Sequence, residues 1–469
     1  MPRISRREAI GALGASGVIA LAGCSSGNGD DSSGGDDGSN GTSDDGGTTG
    51  GVSGTFKIGV LQDFSGVLPA YGAQGTTGFY SGLAYKADSD PLGSDAVDEG
   101  DYEYEVGDVT IELAVRDTQW DPSQSQQLAE DLATSEEVDM LYGVGNSNGA
   151  NRVISQVVDR ANIPYIPGPA ASAAITNDSE TCRDLVFRAN ENTAMDARSG
   201  GVYIAEQTDV ERVALFGADE AFGRSVVNNY QAVLEANGVE IVEQRFVPSD
   251  YAEWDGLLDQ AEQADAQGLV GGFTASALVP FGRSFLQGDY GMQLFGGFAS
   301  RVTLNVLGDT LSSTLGDNFT NQGLSDAEFG PFTTRYHWNQ YDNSINDAFI
   351  DMHTDAYDVV PDLFTSGAFT AASSIVQAIE QAGEASSDAV VEAMTGMTVA
   401  DTPKGEDGYM YQEYNNQARS DMTIAPVEVT TEEGDDQSWP AAIKPGEPIE
   451  TVPADQVTTP ASEMSCDLS

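Results

Sequence analysis

Histidine, cysteine, lysine and tryptophan are scarce in this chain. Two histidines, three cysteines and four tryptophans are spread over 469 residues. The histidines, His337 and His353, lie far from any cluster of acids or thiols with ligand spacing, so no metal site is expected. No cofactor motif replaces one. The lysines are Lys57, Lys86, Lys404 and Lys444. Lysine and arginine together number 20 against 75 acids, a formal net charge of −55. Such a surface cannot neutralise phosphates, which excludes nucleic acid as a partner. No apolar run is long enough to span a bilayer. Apolar residues are nonetheless 40% of the chain and fall in periodic blocks, which excludes a disordered acidic protein. Acidity with little lysine suits saturated salt, where charge repulsion is screened within about 3 Å. It speaks of habitat and solubility, not of a ligand.

What is present begins with an export signal. Arg3, Arg6 and Arg7 precede an apolar, small-residue stretch over residues 10–22, followed by Leu21, Ala22, Gly23 and Cys24. Residues 5–10 resemble a twin-arginine motif, with Ala9 where a bulkier apolar residue is usual. The Leu-Ala-Gly-Cys ending resembles a lipobox, whose cysteine takes lipid and becomes the first mature residue. Residues 1–24 therefore read as a twin-arginine lipoprotein signal, with Cys24 anchoring the chain to the outer face of the cell membrane. Residues 25–53 are almost wholly Gly, Ser, Asp, Asn and Thr, an acidic tether that cannot bury apolar surface. With Cys24 lipidated, Cys182 and Cys466 remain as an even pair in an oxidising compartment, and a disulfide tying the C-terminal tail to the body is expected. Asn40, Asn177 and Asn318 open glycosylation triplets.

From residue 55 the pattern changes. Strands are expected at 56–61, 109–115, 138–142 and 163–166. Helices are expected at 71–87, 123–133 and 150–160, the second with Asp121 and Pro122 at its start. The rhythm restarts with strands at 212–217, 239–242, 269–273 and 293–297 and helices at 225–236 and 254–263. Strands alternating with helices argue parallel, doubly wound sheets. The repetition is too long for one core, so two Rossmann-like α/β lobes joined by a hinge are expected. Lobe 1 is assigned residues 54–190 with a return segment at about 332–395. Lobe 2 is assigned 191–331 with a return at about 396–430, and 431–469 reads as an irregular tail.

The residues at strand ends carry a resemblance. Ile58-Gly59-Val60-Leu61 leads to Ser65-Gly66 and Tyr71-Gly72; Asp117 precedes Asp121-Pro122; Ile163-Pro164-Tyr165-Ile166 leads to Pro169-Ala170-Ala171-Ser172; Val186-Phe187-Arg188 and Phe222-Gly223 follow in order. This ordered set, over roughly residues 55–429, resembles the type I periplasmic binding proteins of branched-chain amino-acid and amide ABC importers, in a haloarchaeal-like version. The resemblance implies a substrate-binding lipoprotein, not an enzyme. Such a protein is a monomer that closes on a small amino acid, amide or urea-like solute and delivers it to permease and ATPase subunits. By the same resemblance Ser147 or Asn148, with Ala170 and Ser172, would hold the ligand's carboxylate or amide end. Phe222 and Phe273 would come from lobe 2, while Tyr71 and Trp120 would wall the pocket from lobe 1. Relatives that bind leucine-like ligands place an acid soon after Gly296-Gly297, and here that position reads Phe298. Either Asp219 or Glu220 substitutes for it, or the ligand lacks an ammonium group, because an unpaired charge in a dry cleft is costly.

Two other readings compete. Gly145-Asn146-Ser147-Asn148-Gly149 fits the nucleophile-elbow pattern of a serine hydrolase, which would need His337 or His353 as base. The same fold also serves as a tethered ligand-sensing receptor.

Overall fold

A computed structural model describes residues 52–288, 290–297, 299–431 and 438–468. The signal, Cys24, nearly all of the tether and Asn40 lie outside these residues, as does Phe298. No helix among the described residues is long and apolar enough to cross a membrane.

The first sheet contains β1 (Ser53–Gln62), β2 (Gly100–Val106), β3 (Asp108–Asp117), β4 (Met140–Gly143) and β5 (Tyr165–Pro167), in the order β2-β3-β1-β4-β5. β2 is antiparallel to β3 and every other pairing is parallel. Helices α1 (Pro69–Ala87), α2 (Pro122–Thr134) and α3 (Ser147–Val153) connect its strands. The apolar residues Ile58 and Val60 on one face of β1 and Leu61 on the other follow from burial on both faces. Phe56, Ile58 and Val60 join the core that includes Phe79 and Tyr142, while Leu61 joins the opposite core with Leu132 and Leu141. Asp121 caps α2 by accepting from the N–H groups of Ser123 and Gln124 at 2.7 and 2.9 Å, with Pro122 in the first turn where no N–H is needed.

A crossover helix, α4 (Thr193–Gln207), leads into the second sheet. Its strands β6 (Arg212–Ala218), β7 (Glu240–Val247), β8 (Gly268–Gly272) and β9 (Gln293–Phe295) run in the order β7-β6-β8-β9, all parallel. Helices α5 (Ala221–Ala236), α6 (Asp255–Gln263), α7 (Ala275–Gln287) and α8 (Arg301–Leu315) belong to this lobe. β3-β1-β4-β5 and β7-β6-β8-β9 have the same connectivity, so the two-lobed α/β expectation holds at the level of strand order.

The boundaries of the return segments differ from the sequence reading. β10 (Phe332–Thr334) is followed by α9 (Ser344–Tyr357) and α10 (Thr365–Ala382), which packs on α1. Residues 396–419 were expected in lobe 2, but β11 (Thr398–Thr402), β12 (Gly405–Tyr411) and β13 (Ala418–Arg419) place Val399, Tyr409, Tyr411 and Ala418 in the lobe 1 core. Phe332 and Trp338 instead join the lobe 2 core. A hairpin's side chains pack wherever a neighbouring helix offers an apolar face, and α10 offers it here. The tail is not irregular either. After β14 (Met422–Ala425) and β15 (Val427–Val429), β16 (Ile443–Pro445) pairs with β15 and β17 (Glu450–Val452) with β14. β10, β14 and β17 form a small antiparallel sheet at the hinge. Cys466 is disulfide-bonded to Cys182, with Cα atoms 5.8 Å apart.

Candidate functional site

In each sheet the connections from two neighbouring strands, β1 and β4 in the first and β6 and β8 in the second, leave toward opposite edges, and loops beyond the strands' carboxyl ends form a crevice there. Both crevices open into one cavity of about 180 Å³. Trp120 follows β3, Gly145 to Asn148 follow β4, and Pro169 and Ala171 follow β5. From the other lobe Glu220 and Phe222 follow β6, Ser249 follows β7, Phe273 and Thr274 follow β8, and Gly297 and Ala299 follow β9. Asp196, Thr333, Arg335 and Phe364 close the hinge end.

A repeated local device aims one aromatic from each lobe. Tyr71-Gly72 opens α1 after β1, and Phe222-Gly223 opens α5 after β6. A Cβ on Gly72 would lie 2.2 Å from the Asp63 carbonyl oxygen, and one on Gly223 would lie 2.3 Å from that of Ala218. Only glycine lets each helix start this close to its strand, and the preceding ring is thereby turned into the cavity. Tyr71 meets Trp120 and Phe364 edge-on at ring-centroid distances of 5.9 and 4.8 Å, forming one aromatic wall. Burial and the charge of Asp362 push the Tyr71 hydroxyl up to about 12, so the phenol remains neutral.

Trp120 is held by a buried carboxylate. Asp63 accepts from the N–H groups of Trp120 (2.8 Å) and Gly145 (3.1 Å) and from the Thr118 hydroxyl. Three strand-end loops thus meet on one side chain, in a setting whose burial raises its pKa against those bonds. Gln119 and Trp120 both take left-handed backbone conformations, φ 55° and 60°. Asp117 supports that turn by accepting from the N–H groups of Phe64, Ser65 and Gln119.

The structure brings six of the expected residues to the cavity: Tyr71, Trp120, Ser147, Asn148, Phe222 and Phe273. Ala170 and Ser172 do not line it. Both are buried, and Ala171 supplies the lining instead. The Ser172 N–H donates to Ser147 Oγ at 3.2 Å, and its carbonyl accepts from Arg188 Nη1 at 2.6 Å, so this loop is anchored inward. Of the two candidate acids, Asp219 is exposed and bonded to Arg224 at 2.7 Å. Glu220 faces the cavity and caps α5 through the N–H groups of Phe222 and Gly223, each at 2.8 Å.

Sequence reasoning missed the charged floor. Arg335 grips Asp196 with two parallel bonds, Nε to Oδ1 at 3.0 Å and Nη2 to Oδ2 at 2.5 Å. Burial opposes the guanidinium charge, and Asp196 outweighs it and raises its pKa. Beneath lies Arg188, fully buried and bonded to Gln417, Ser172 and Thr176 rather than to a carboxylate. Burial, and next the Arg335 charge, lower its pKa to about 9. The only signal in the sequence was a basic residue in a strand-like run of a base-poor chain, and nothing tied it to an aspartate 139 residues away.

Neither histidine stands beside Ser147 among the described residues. His353 bonds the Val359 carbonyl through Nδ1 (2.9 Å) and contacts Thr77 Oγ1 through Nε2 (3.2 Å). His337 Nδ1 lies 3.5 Å from Asp362. Neither histidine lines the cavity that Ser147 faces, and the nucleophile-elbow pattern is here a helix start capped by Asn146.

The family described as "Periplasmic binding protein" matches residues 55–435. The Leu/Ile/Val-binding protein homolog 6 of Brucella abortus is 27% identical over 73% of this chain and 80% of its own length. Three solved structures share the fold. An ABC-type branched-chain amino acid transporter protein of Rhodopseudomonas palustris has TM-score 0.64 and 20% identity, over 87% of this chain and 100% of its own. A solute binding protein of an ABC transporter from the same species, in complex with 3,4-dihydroxybenzoic acid, has TM-score 0.65 and 17% identity, over 85% and 98%. A periplasmic binding protein of Burkholderia mallei has TM-score 0.69 and 19% identity, over 88% and 99%.

Proposed function

This chain belongs to the periplasmic binding protein family, and on that premise we propose that it captures a small solute between its lobes and presents it to an ABC importer. One observation carries the reading: a single cavity is walled by strand-end loops of both lobes together with the hinge residues Asp196 and Arg335. A ligand touching both walls stabilises the closed arrangement by contacts it cannot make with either lobe alone.

The lining defines the solute's chemistry. Tyr71, Trp120, Phe222, Phe273 and Phe364 offer an apolar body a large desolvated surface. Ser147, Asn148, Glu220 and the Arg335–Asp196 pair offer one polar end its partners. A branched or aromatic amino acid, or an aromatic acid such as the one held by the R. palustris protein, fits this division better than urea. Lipidation of Cys24 would hold the protein at the outer face of the membrane, within reach of a permease.

The test is a thermal-shift and calorimetric screen in multimolar KCl with branched and aromatic amino acids, benzoates, amides and urea. Bound solute stabilises by mass action, so a solute at one hundred times its Kd adds about 2.7 kcal/mol. A stabilising hit that Trp120→Ala weakens by about ten-fold or more supports the reading. Turnover of the solute, or no shift with any of them, rejects it.

A further inference from the structure

The family match ends at residue 435, yet the chain beyond it is built into the body. Trp439 and Ile443 are buried in the lobe 2 core, where β16 pairs with β15. The chain then crosses the hinge sheet as β17, and Val457 packs against Met195, Met422 and Ile424. Past that point it is bonded to lobe 1 and the crossover helix. Asn177 Nδ2 donates to Thr459 Oγ1 at 3.3 Å, and the Asn177 carbonyl accepts from the N–H groups of Ser465 and Cys466 at 3.1 Å. Leu468 N–H donates to the Tyr414 carbonyl at 3.0 Å, Glu463 pairs with Arg198 of α4, and Cys466 is bonded to Cys182. Cys182 lies just before the chain departs for lobe 2, and Cys466 lies after it has returned. The disulfide, across a sequence separation of 284, therefore brackets the whole second lobe.

This segment also borders the gap between the lobes. A groove of about 620 Å³ is lined by Ala173 and Asn177 of lobe 1, Ser225 and Asn229 of lobe 2, and Thr459 and Ser465 of the tail. In the same groove one bond joins the lobes directly: the Ala173 N–H donates to Ser225 Oγ at 3.0 Å.

We propose that residues 443–468 act as an interlobe strap, a disulfide-locked crossing that limits how far the lobes swing apart and so raises the fraction of molecules in the ligand-competent arrangement. The strap rests on the closure reading above. A tether fixed in the lobe 2 core at one end and in lobe 1 at the other resists separation of those two points. Apparent affinity scales with the competent fraction, so the strap strengthens binding without touching the ligand.

Hydrogen exchange reads the strap without a ligand. In the C182S/C466S double variant, amides of residues 171–175 are expected to exchange about five-fold or more faster than in the native protein, while amides of β1 and β6 keep their rates. If that variant does not fold, native protein reduced with a phosphine after folding is measured instead. Unchanged exchange at residues 171–175, or an equal acceleration in β1 and β6, overturns the strap and leaves the disulfide a general stabiliser. Adding leucine or benzoate tests capture separately: protection of residues 171–175 in native protein supports it, and no protection by any screened solute defeats capture without bearing on the strap.

Discussion

At the scale of single residues, burial decides which charges matter. Breaking the Arg335–Asp196 pair leaves an uncompensated charge on the cavity floor. Arg335→Met is expected to cost about 3–5 kcal/mol in chemical denaturation. The double change R335M/D196L should recover much of that stability but not solute affinity, which separates a structural role from a binding one. Asp63→Asn replaces an acceptor-only group with one that also presents N–H donors to the Trp120 and Gly145 N–H groups. It should cost about 1–3 kcal/mol and weaken solute binding with it.

The buried histidines add a pH dependence. Burial lowers both His337 and His353 to about 3. Between their unfolded value and that depressed one, the unfolded chain binds protons that the folded chain refuses. Stability therefore falls as pH drops below about 6.5, by up to about 1.4 kcal/mol per pH unit for each histidine. Asp362, raised by burial, works in the opposite direction. His353→Asn should flatten the slope of unfolding free energy against pH between 6.5 and 5; an unchanged slope would show that His353 is accessible to protons in the folded state.

At the scale of elements, strand-to-helix junctions do the positioning. Gly72→Ala or Gly223→Ala gains helix propensity of about 1 kcal/mol and still should destabilise the protein by about 1–3 kcal/mol, because the clash is with backbone rather than a yielding side chain. Calorimetry of either variant reads the balance; a raised Tm would mean that the helix start can shift. The alternation of strands and helices was legible because burial on both faces demands apolar residues on both sides of a strand, as Ile58, Val60 and Leu61 provide in β1. The origin of α3 was not. A helix was expected from residue 150, and the Asn146 side chain, accepting from the Asn148 and Gly149 N–H groups, starts it at Ser147. Capping is a local contact that apolar periodicity does not report.

At the scale of the whole molecule, the net charge of −55 sets the conditions under which the fold persists. Raising KCl from about 0.1 M to about 3 M shortens the screening length from about 10 Å to below 3 Å. The Tm should rise by about 10 °C or more over that range, as self-repulsion is removed. A Tm flat in salt would mean that the acids are already neutralised by local partners. Lobe assignment was the least legible feature at this scale. The hairpin at residues 398–411 falls in the lobe opposite to the one expected, and the tail expected to be irregular forms β16 and β17, because each packs on an element distant in sequence, and chain order carries no such information.

The sequence by itself determined the alternating α/β build, the two-lobed repeat and the aromatic-glycine pairs at 71–72 and 222–223. Each is a local or periodic property of the chain. Tertiary structure alone decided that Ser172 points away from the cavity, that Asp196 and Arg335 meet on its floor, and that the tail returns across the hinge to Cys182. Those outcomes depend on which distant groups share one low-dielectric space, where an unpaired charge or an unmet N–H is too costly to leave.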